Sequence, residues 1–217
     1  MIYKKIFLYI LGLFVLSVGV NISIHAALGV SPVSSLSYAL ALSFPLSIGI
    51  TTIIANVIFL IVQMLISKRF DPKYIVIQAV ITVIFGITMD ITSVLVNFLP
   101  VSSNLFLSLI YLFISLPIVA VGFMFYLHAG LSLMPYDMLI HEISQKSSIP
   151  FAKVKIYGDF ISVIISLLIC FIMIQSLGAI GLGTFIAAYA IGKTLALIMP
   201  FKKYLLNWLY GSNEATF

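Results

Sequence analysis

His25-Ala26-Ala27-Leu28-Gly29-Val30-Ser31-Pro32 returns one half-chain later as His128-Ala129-Gly130-Leu131-Ser132-Leu133-Met134-Pro135. His, Ala, Leu and Pro recur at a constant offset of 103 residues, which also pairs Val18-Gly19 with Val121-Gly122 and Leu36 with Leu139. A Pro-opened break at matching places in two apolar half-chains is the sequence mark of a transporter-like fold, where interrupted segments form the solute site. It names no solute.

Composition fixes the solvent. Of 217 residues, 63% are hydrophobic and 8% charged, against about a quarter charged in soluble chains. Mean hydropathy is +1.26. A membrane-crossing helix needs about 20 apolar residues, and several segments reach that length, so a multi-span membrane protein is expected. The net charge of +5 comes from basic residues scattered between apolar runs, whereas a nucleic-acid site needs a continuous basic face. Cys170 is alone, which excludes a disulfide framework and a cysteine metal site. It reads as a small buried hydrophobe.

Six segments are expected to cross: Ile6–Ile24, Leu46–Ile66, Tyr74–Phe98, Leu105–Leu127, Ile156–Gln175 and Leu182–Met199. The first exceeds the ~7–15 residues of a signal-peptide core and reads as a retained span. Two shorter pieces, 29–44 and 132–144, each carry a Pro near their start and more polar residues than their neighbours. If both enter and turn back, and the N-terminus is cytoplasmic, ten of the eleven basic residues face the cytoplasm. Lys193, within a span, is the eleventh. The connections near Ala26, Pro100 and Gly178 then carry no Lys or Arg. Full crossing would instead put Lys68, Arg69 and Lys73 outside. Trp208, Tyr204 and Tyr210 beside Lys202 and Lys203 suit an interfacial belt.

Three crossings per half is odd, so the halves face opposite ways. The expected fold is all-α: six transmembrane helices plus two re-entrant half-helices, an inverted 3+3 repeat about a pseudo-two-fold axis in the membrane plane. Residues 1–102 form the first repeat, 103–210 the second and 211–217 a short tail, in one integral membrane domain. About ten helical residues reach the middle of a ~30 Å hydrocarbon core, so both tips can approach the midplane. At the first tip, Ser31, Pro32 and Ser34 read as a capped helix start. At the second, Pro135, Tyr136 and Asp137 put a carboxylate where free backbone donors can reach it.

The His-Ala break with Gly or Ser before Pro, then a second copy containing Pro135-Tyr136-Asp137, resembles the YczE/YyaS/YitT family of bacterial membrane proteins. The resemblance runs over essentially the whole chain, and Gly181-Leu-Gly-Thr184 with Ile191-Gly-Lys193 suits the family's last span. It implies a fold and a bacterial cytoplasmic membrane location, and no particular substrate. Opposed Pro-opened half-helices are also similar to aquaporin-type channels. Here, however, the re-entrant piece follows the first span, and no Asn-Pro-Ala stands at either tip.

An ionisable side chain at mid-membrane costs about 2.5–3.5 kcal/mol and needs a partner or a purpose. Asn56 and Asp90 are expected at a similar depth, about ten and about eight residues in from the outer ends of their spans; Asp159 and Lys193 are expected a few residues inside the cytoplasmic boundary, able to pair. The 103 offset maps Asn56 onto Asp159 and Asp90 onto Lys193, although a three-residue gap aligns Gly86 with Gly192 instead. These groups are buried clamps or coupling residues. His25 and His128 end their spans, where each can donate to freed carbonyls or take part in proton coupling. No metal site or cofactor is expected. His141-Glu142 lacks the second His of a zincin, and the 178–183 glycines follow no strand, so they read as a tight turn permitting close helix approach.

The expected function is a transporter or channel for a small neutral, zwitterionic or anionic organic solute, bound between the two tips. The alternative is a non-transporting accessory or regulatory membrane protein. An enzyme is not expected, since no nucleophile–base or metal constellation appears. Expected partners are the lipid bilayer and a small-molecule solute. Nucleic acid is not expected, a homo-oligomer is left open, and both termini are expected in the cytoplasm.

Overall fold

In the computed structural model, which describes residues 2–68, 71–202 and 204–206, each apolar run becomes a helix. The order is α1 (Ile2–His25), α2 (Pro32–Ser43), α3 (Ile48–Ser67), α4 (Pro72–Val96), α5 (Leu105–His128), α6 (Pro135–Ser147), α7 (Phe151–Ile174) and α8 (Leu182–Ile198). Six of these, α8 together with the 3-10 turn Met199–Phe201 that continues it, are long and apolar enough to cross a membrane, and the chain is a multi-pass membrane protein. The other two, α2 and α6, have 12 and 13 residues. At 1.5 Å per residue each is about 18–20 Å long, short of the ~30 Å hydrocarbon core. Arg69, Lys203, Trp208, Tyr210 and the tail 211–217, used above for orientation and anchoring, lie outside the described residues.

Helix starts follow from local chemistry. Pro32, Pro72 and Pro135 open α2, α4 and α6, because a helix's first turn has no intrahelical use for the missing N–H. Asp71 caps α4 by accepting from the backbone N–H of Lys73 and Tyr74, and Asn104 caps α5 through Leu107. Between α1 and α2, Ala27 takes a positive φ of 54°; its offset partner Gly130, after α5, takes 66°. Both breaks therefore pass through a left-handed residue at the offset position, and the first adds another at Gly29, with φ 96°. The first is braced by the 178–183 turn, where Gly183 N–H donates to Leu28 O at 2.7 Å and Val30 N–H to Ala179 O at 3.1 Å. A Cβ on Gly181 would lie 2.3 Å from the Leu28 carbonyl oxygen, so the close approach expected of these glycines depends on a missing side chain.

At the centre α1 crosses α5. A Cβ on Gly12 would meet Tyr126 N at 2.5 Å, one on Gly19 Val119 N at 2.7 Å, and one on Gly122 Leu16 N at 2.4 Å. Lipid offers no hydrophobic force between helices, and such small residues let backbones approach for dispersion to act. Outside this crossing, α4 packs on α1 as α8 packs on α5, and α2 meets α7 as α6 meets α3. Asn21 ties α1 to α4, its Nδ2 donating to Met89 O at 3.0 Å and to Thr92 Oγ1 at 2.7 Å. Interhelical hydrogen bonds of this kind contribute about 0.6 kcal/mol each on average. The outward faces are apolar, with Phe7, Leu65, Phe106, Phe160 and Phe171 exposed to what is lipid in the membrane.

One packing lacks its counterpart. α3 runs along α4, but among the described residues α7 and α8 barely touch.

Candidate functional site

The missing seam opens onto a cavity of about 340 Å³. Its wall includes the first turns of both short helices, Ser31–Ser34 from α2 and Met134, Tyr136 and Asp137 from α6. Val33 of the first tip packs on the cluster around Tyr136 of the second. The wall is drawn from offset-related positions: Leu16 and Val119, Val20 and Phe123, Val33 and Tyr136, Met89 and Gly192. Its polar members obey the same relation. Ser34, Thr52 and Asn56 from the first half correspond to Asp137, Lys155 and Asp159 from the second. One side of the cavity is therefore uncharged and the other carries two carboxylates and an ammonium.

The charged side is held from below by tyrosines. Tyr126, buried on α5, accepts from the Met134 N–H at 2.7 Å and donates to Asp137 Oδ2 at 3.0 Å, so one hydroxyl fixes the start of α6 and aims its carboxylate. Tyr9 of α1 stacks edge-on against Tyr126 at 5.4 Å and donates to Ser132 O at 2.8 Å, pinning the second break. The Tyr136 hydroxyl donates to Asp159 Oδ1, and its ring meets Phe59 edge-on at 5.0 Å.

Lys155 Nζ lies 3.7 Å from Asp137 Oδ1 and 3.9 Å from Asp159 Oδ1, over the Tyr136 ring at 4.8 Å. These are charge contacts beyond hydrogen-bond reach, and Nζ itself is buried without a hydrogen-bond partner. Three ionisable groups share one place, so each moderates the cost of the others. The tyrosine hydroxyls take Oδ2 of Asp137 and Oδ1 of Asp159, and Asp137 Oδ1 is the oxygen turned toward Lys155. The site thus holds an ammonium without a hydrogen bond, 3.7 and 3.9 Å from two carboxylates.

Several expectations need correction. Ser31 does not cap α2; its hydroxyl donates to Ser34 Oγ at 3.1 Å, and Asp137 faces Tyr126 and Lys155 instead of capping α6. Both first turns therefore meet the cavity with no side-chain cap. Asp159 pairs with Lys155, one helical turn away, while Lys193 is exposed and lies over the Tyr189 ring at 5.5 Å. Side-chain reach explains this: an i,i+4 pair meets on one helix face, whereas α8 stands off from α7.

Asp90 does not join Asn56. Its oxygens accept from Gly49 N–H and the Ser47 hydroxyl, both at 2.7 Å, fastening α4 to the start of α3. Asn56 donates to Thr52 O at 2.9 Å and lines the cavity. His128 Nδ1 contacts Met124 O at 2.8 Å within its own helix, and His25 Nε2 contacts Pro100 O at 2.9 Å in the α4–α5 connection. Neither histidine lines the cavity.

Lys155, Tyr126, Tyr9 and Phe123 belong to the site and were not expected there. Lys155 reads as a loop residue until α7 is seen to begin at Phe151, five residues before the expected start. Its spacing from Asp159 was the available signal.

The family described as "Family of unknown function (DUF6198)" matches residues 3–200. "Uncharacterized protein YyaS" of Bacillus subtilis (strain 168) is 27% identical over 199 residues, spanning 90% of this chain and 92% of that protein. "Uncharacterized membrane protein YczE" of the same organism is 29% identical over 209 residues, spanning 95% and 91%. No solved structure matches the chain.

Proposed function

We propose that this chain, which belongs to the DUF6198 family of unknown function, is a transporter for a small organic solute that binds in the cavity between the two short helices. The observation that carries the reading is the cavity itself, walled by offset-related positions of both halves with three ionisable side chains facing inward. A protein using these groups only to clamp helices would have no reason to leave Lys155 Nζ without a hydrogen bond beside an open space. The two inward carboxylates weigh against a purely anionic solute, leaving neutral and zwitterionic ones.

In this reading α2 and α6 are re-entrant half-helices entering from opposite faces, and residues 1–102 and 103–210 are inverted repeats about an axis through the α1–α5 crossing. The reciprocal packings, α4 on α1 with α8 on α5 and α2 on α7 with α6 on α3, support it. So do the matched left-handed turns at Ala27 and Gly130. The gap between α7 and α8 is the way in. Closing it while the α3–α4 seam opens would expose the cavity to the other side, as alternating access requires. The basic residues favour both termini in the cytoplasm, and the Bacillus relatives favour a bacterial cytoplasmic membrane.

The test is a solute screen in proteoliposomes comparing wild type with Asp137→Asn, which keeps an oxygen for Tyr126 but removes the charge facing Lys155. At least one solute enters faster than into protein-free vesicles, and the variant lowers that excess tenfold or more at equal protein content. Flux equal to that of empty vesicles for every solute would remove the transport reading.

A further inference from the structure

The charge balance of the cavity narrows the solute. Asp137 and Asp159 contribute two negative charges and Lys155 one positive. The uncapped first turns of α2 and α6 line the same wall, and each helix N-terminus supplies about half a positive charge. The sum is close to zero. A guest with a single charge would leave that charge uncompensated at membrane depth, which is costly.

A wholly uncharged apolar guest fails for a different reason. It would leave the Lys155 N–H donors without a hydrogen bond and bring no polar group to the two carboxylates 3.7 and 3.9 Å from them. The complement has a donor cation and an acceptor anion a few ångströms apart, with no net charge. The rest of the wall sets the body: Leu16, Val20, Phe59, Phe85 and Phe123 are apolar. A cavity of about 340 Å³ is at the small end of ligand sites, about 300–1,000 Å³.

We infer that the cavity binds a small zwitterion bearing a primary ammonium, a carboxylate and an apolar body, as in an apolar α-amino acid. The inference rests on the proposed transport site and assigns its chemistry. The guest's carboxylate takes the Lys155 ammonium, at the positive ends of the two short helices. Its ammonium takes Asp137 Oδ1 and Asp159 Oδ2, and its apolar body meets Phe59 and Phe123. Lys155 is then the specificity-determining residue, because it alone supplies a full positive charge for the carboxylate.

Binding is measured apart from flux, as ligand-induced thermal stabilisation of the purified full chain in detergent. The probes are glycine, leucine and phenylalanine, with leucinamide as the cation-only and 4-methylpentanoate as the anion-only analogue of leucine. Leucine or phenylalanine stabilises the protein at concentrations at least tenfold below those required of either single-charge analogue or of glycine. In Lys155→Gln the order reverses, with leucinamide binding better than leucine, because a repelling cation has gone and the carboxylate has lost its partner. Lys155→Arg, which keeps the charge, retains the wild-type order and separates a charge effect from misfolding.

Equal stabilisation by leucinamide or 4-methylpentanoate in the wild type would overturn the inference. So would an unchanged order in Lys155→Gln, or no response to any zwitterion. If the proteoliposome screen finds flux only for solutes of another charge class, the assignment fails and the transport reading stands. If no solute crosses, the transport reading itself fails.

Discussion

The 103-residue offset carries α3 and α4 onto α7 and α8, yet the α3–α4 seam is shut while, among the described residues, the α7–α8 seam is open. At the shut seam, a Cβ on Gly49 would lie 2.2 Å from Gly86 O, and one on Gly86 would lie 2.4 Å from Ile53 Cγ1. Asp90 fastens the seam by accepting from Gly49 and Ser47. At the open seam the counterpart of Gly49 is Ala152, which is exposed. The counterpart of Gly86 is Tyr189 without a gap, 70% exposed, or Gly192 with the three-residue gap, where a Cβ would meet nothing within 4 Å. The charged side chains lie on α6 and α7, beside the open seam, and their uncharged equivalents lie on α2 and α3. The difference teaches that offset-related helices hold different packing states, with the charged side chains placed where the packing is incomplete.

The comparison breaks most easily at Gly49. Leucine there has to displace backbone, since the nearest atom is a carbonyl oxygen that no rotamer change can move. Overpacking of this kind costs about 1–3 kcal/mol and occasionally more. Gly49→Leu is expected to lower the thermal midpoint in detergent by several degrees and to reduce yield. An unchanged midpoint would mean that the α3–α4 contact is not a tight one.

Asp90→Ala comes next. It removes the acceptor for Gly49 N–H and for the Ser47 hydroxyl at the start of α3. Loss of an N-terminal helix acceptor costs about 0.5–2 kcal/mol. The Ser47 bond is exposed but the Gly49 bond is part-buried, which favours the middle of that range. Because Asp90 does not line the cavity, uptake per folded molecule is expected to stay at the wild-type level. Normal stability with lost uptake would instead return Asp90 to the coupling residues, as its intramembrane position first suggested.

How much of this was legible beforehand follows from which signals are local. The 103-residue offset located both breaks, both short helices and the tips that meet at the cavity, because Gly, Pro and apolar runs act through the backbone of their own segment. It also matched Asn56 to Asp159 before either was seen to line one wall. Partner choice was less legible. Asp159 was matched with Lys193 across helices by depth, but depth does not fix helix rotation or separation, and Lys155 one turn away reached it first. Tyr9 and Tyr126 were invisible as site residues. Aromatic residues are common in spans, and only the α1–α5 crossing brings these two under Asp137. The open seam was invisible for a further reason: both halves carry small residues at the crossing positions, so the sequence allows closure at either.

Gly192→Leu has the smallest expected effect on stability and says most about the open seam. Its Cβ enters open space, and substitutions away from packed features usually fall within ±0.5 kcal/mol, so the thermal midpoint should match wild type. In the proposed transport cycle the seam opposite Ala152 and Lys155 closes for the cavity to face the other side, and a leucine where Gly86 allows backbone contact would hold α8 away. The expected signature is therefore a protein as stable as wild type whose uptake is lost, the reverse of Asp90→Ala. Full uptake in Gly192→Leu would mean that α8 never approaches α7 during the cycle. The gap would then be a fixed entrance, and the likeness of the two seams would stop at the sequence.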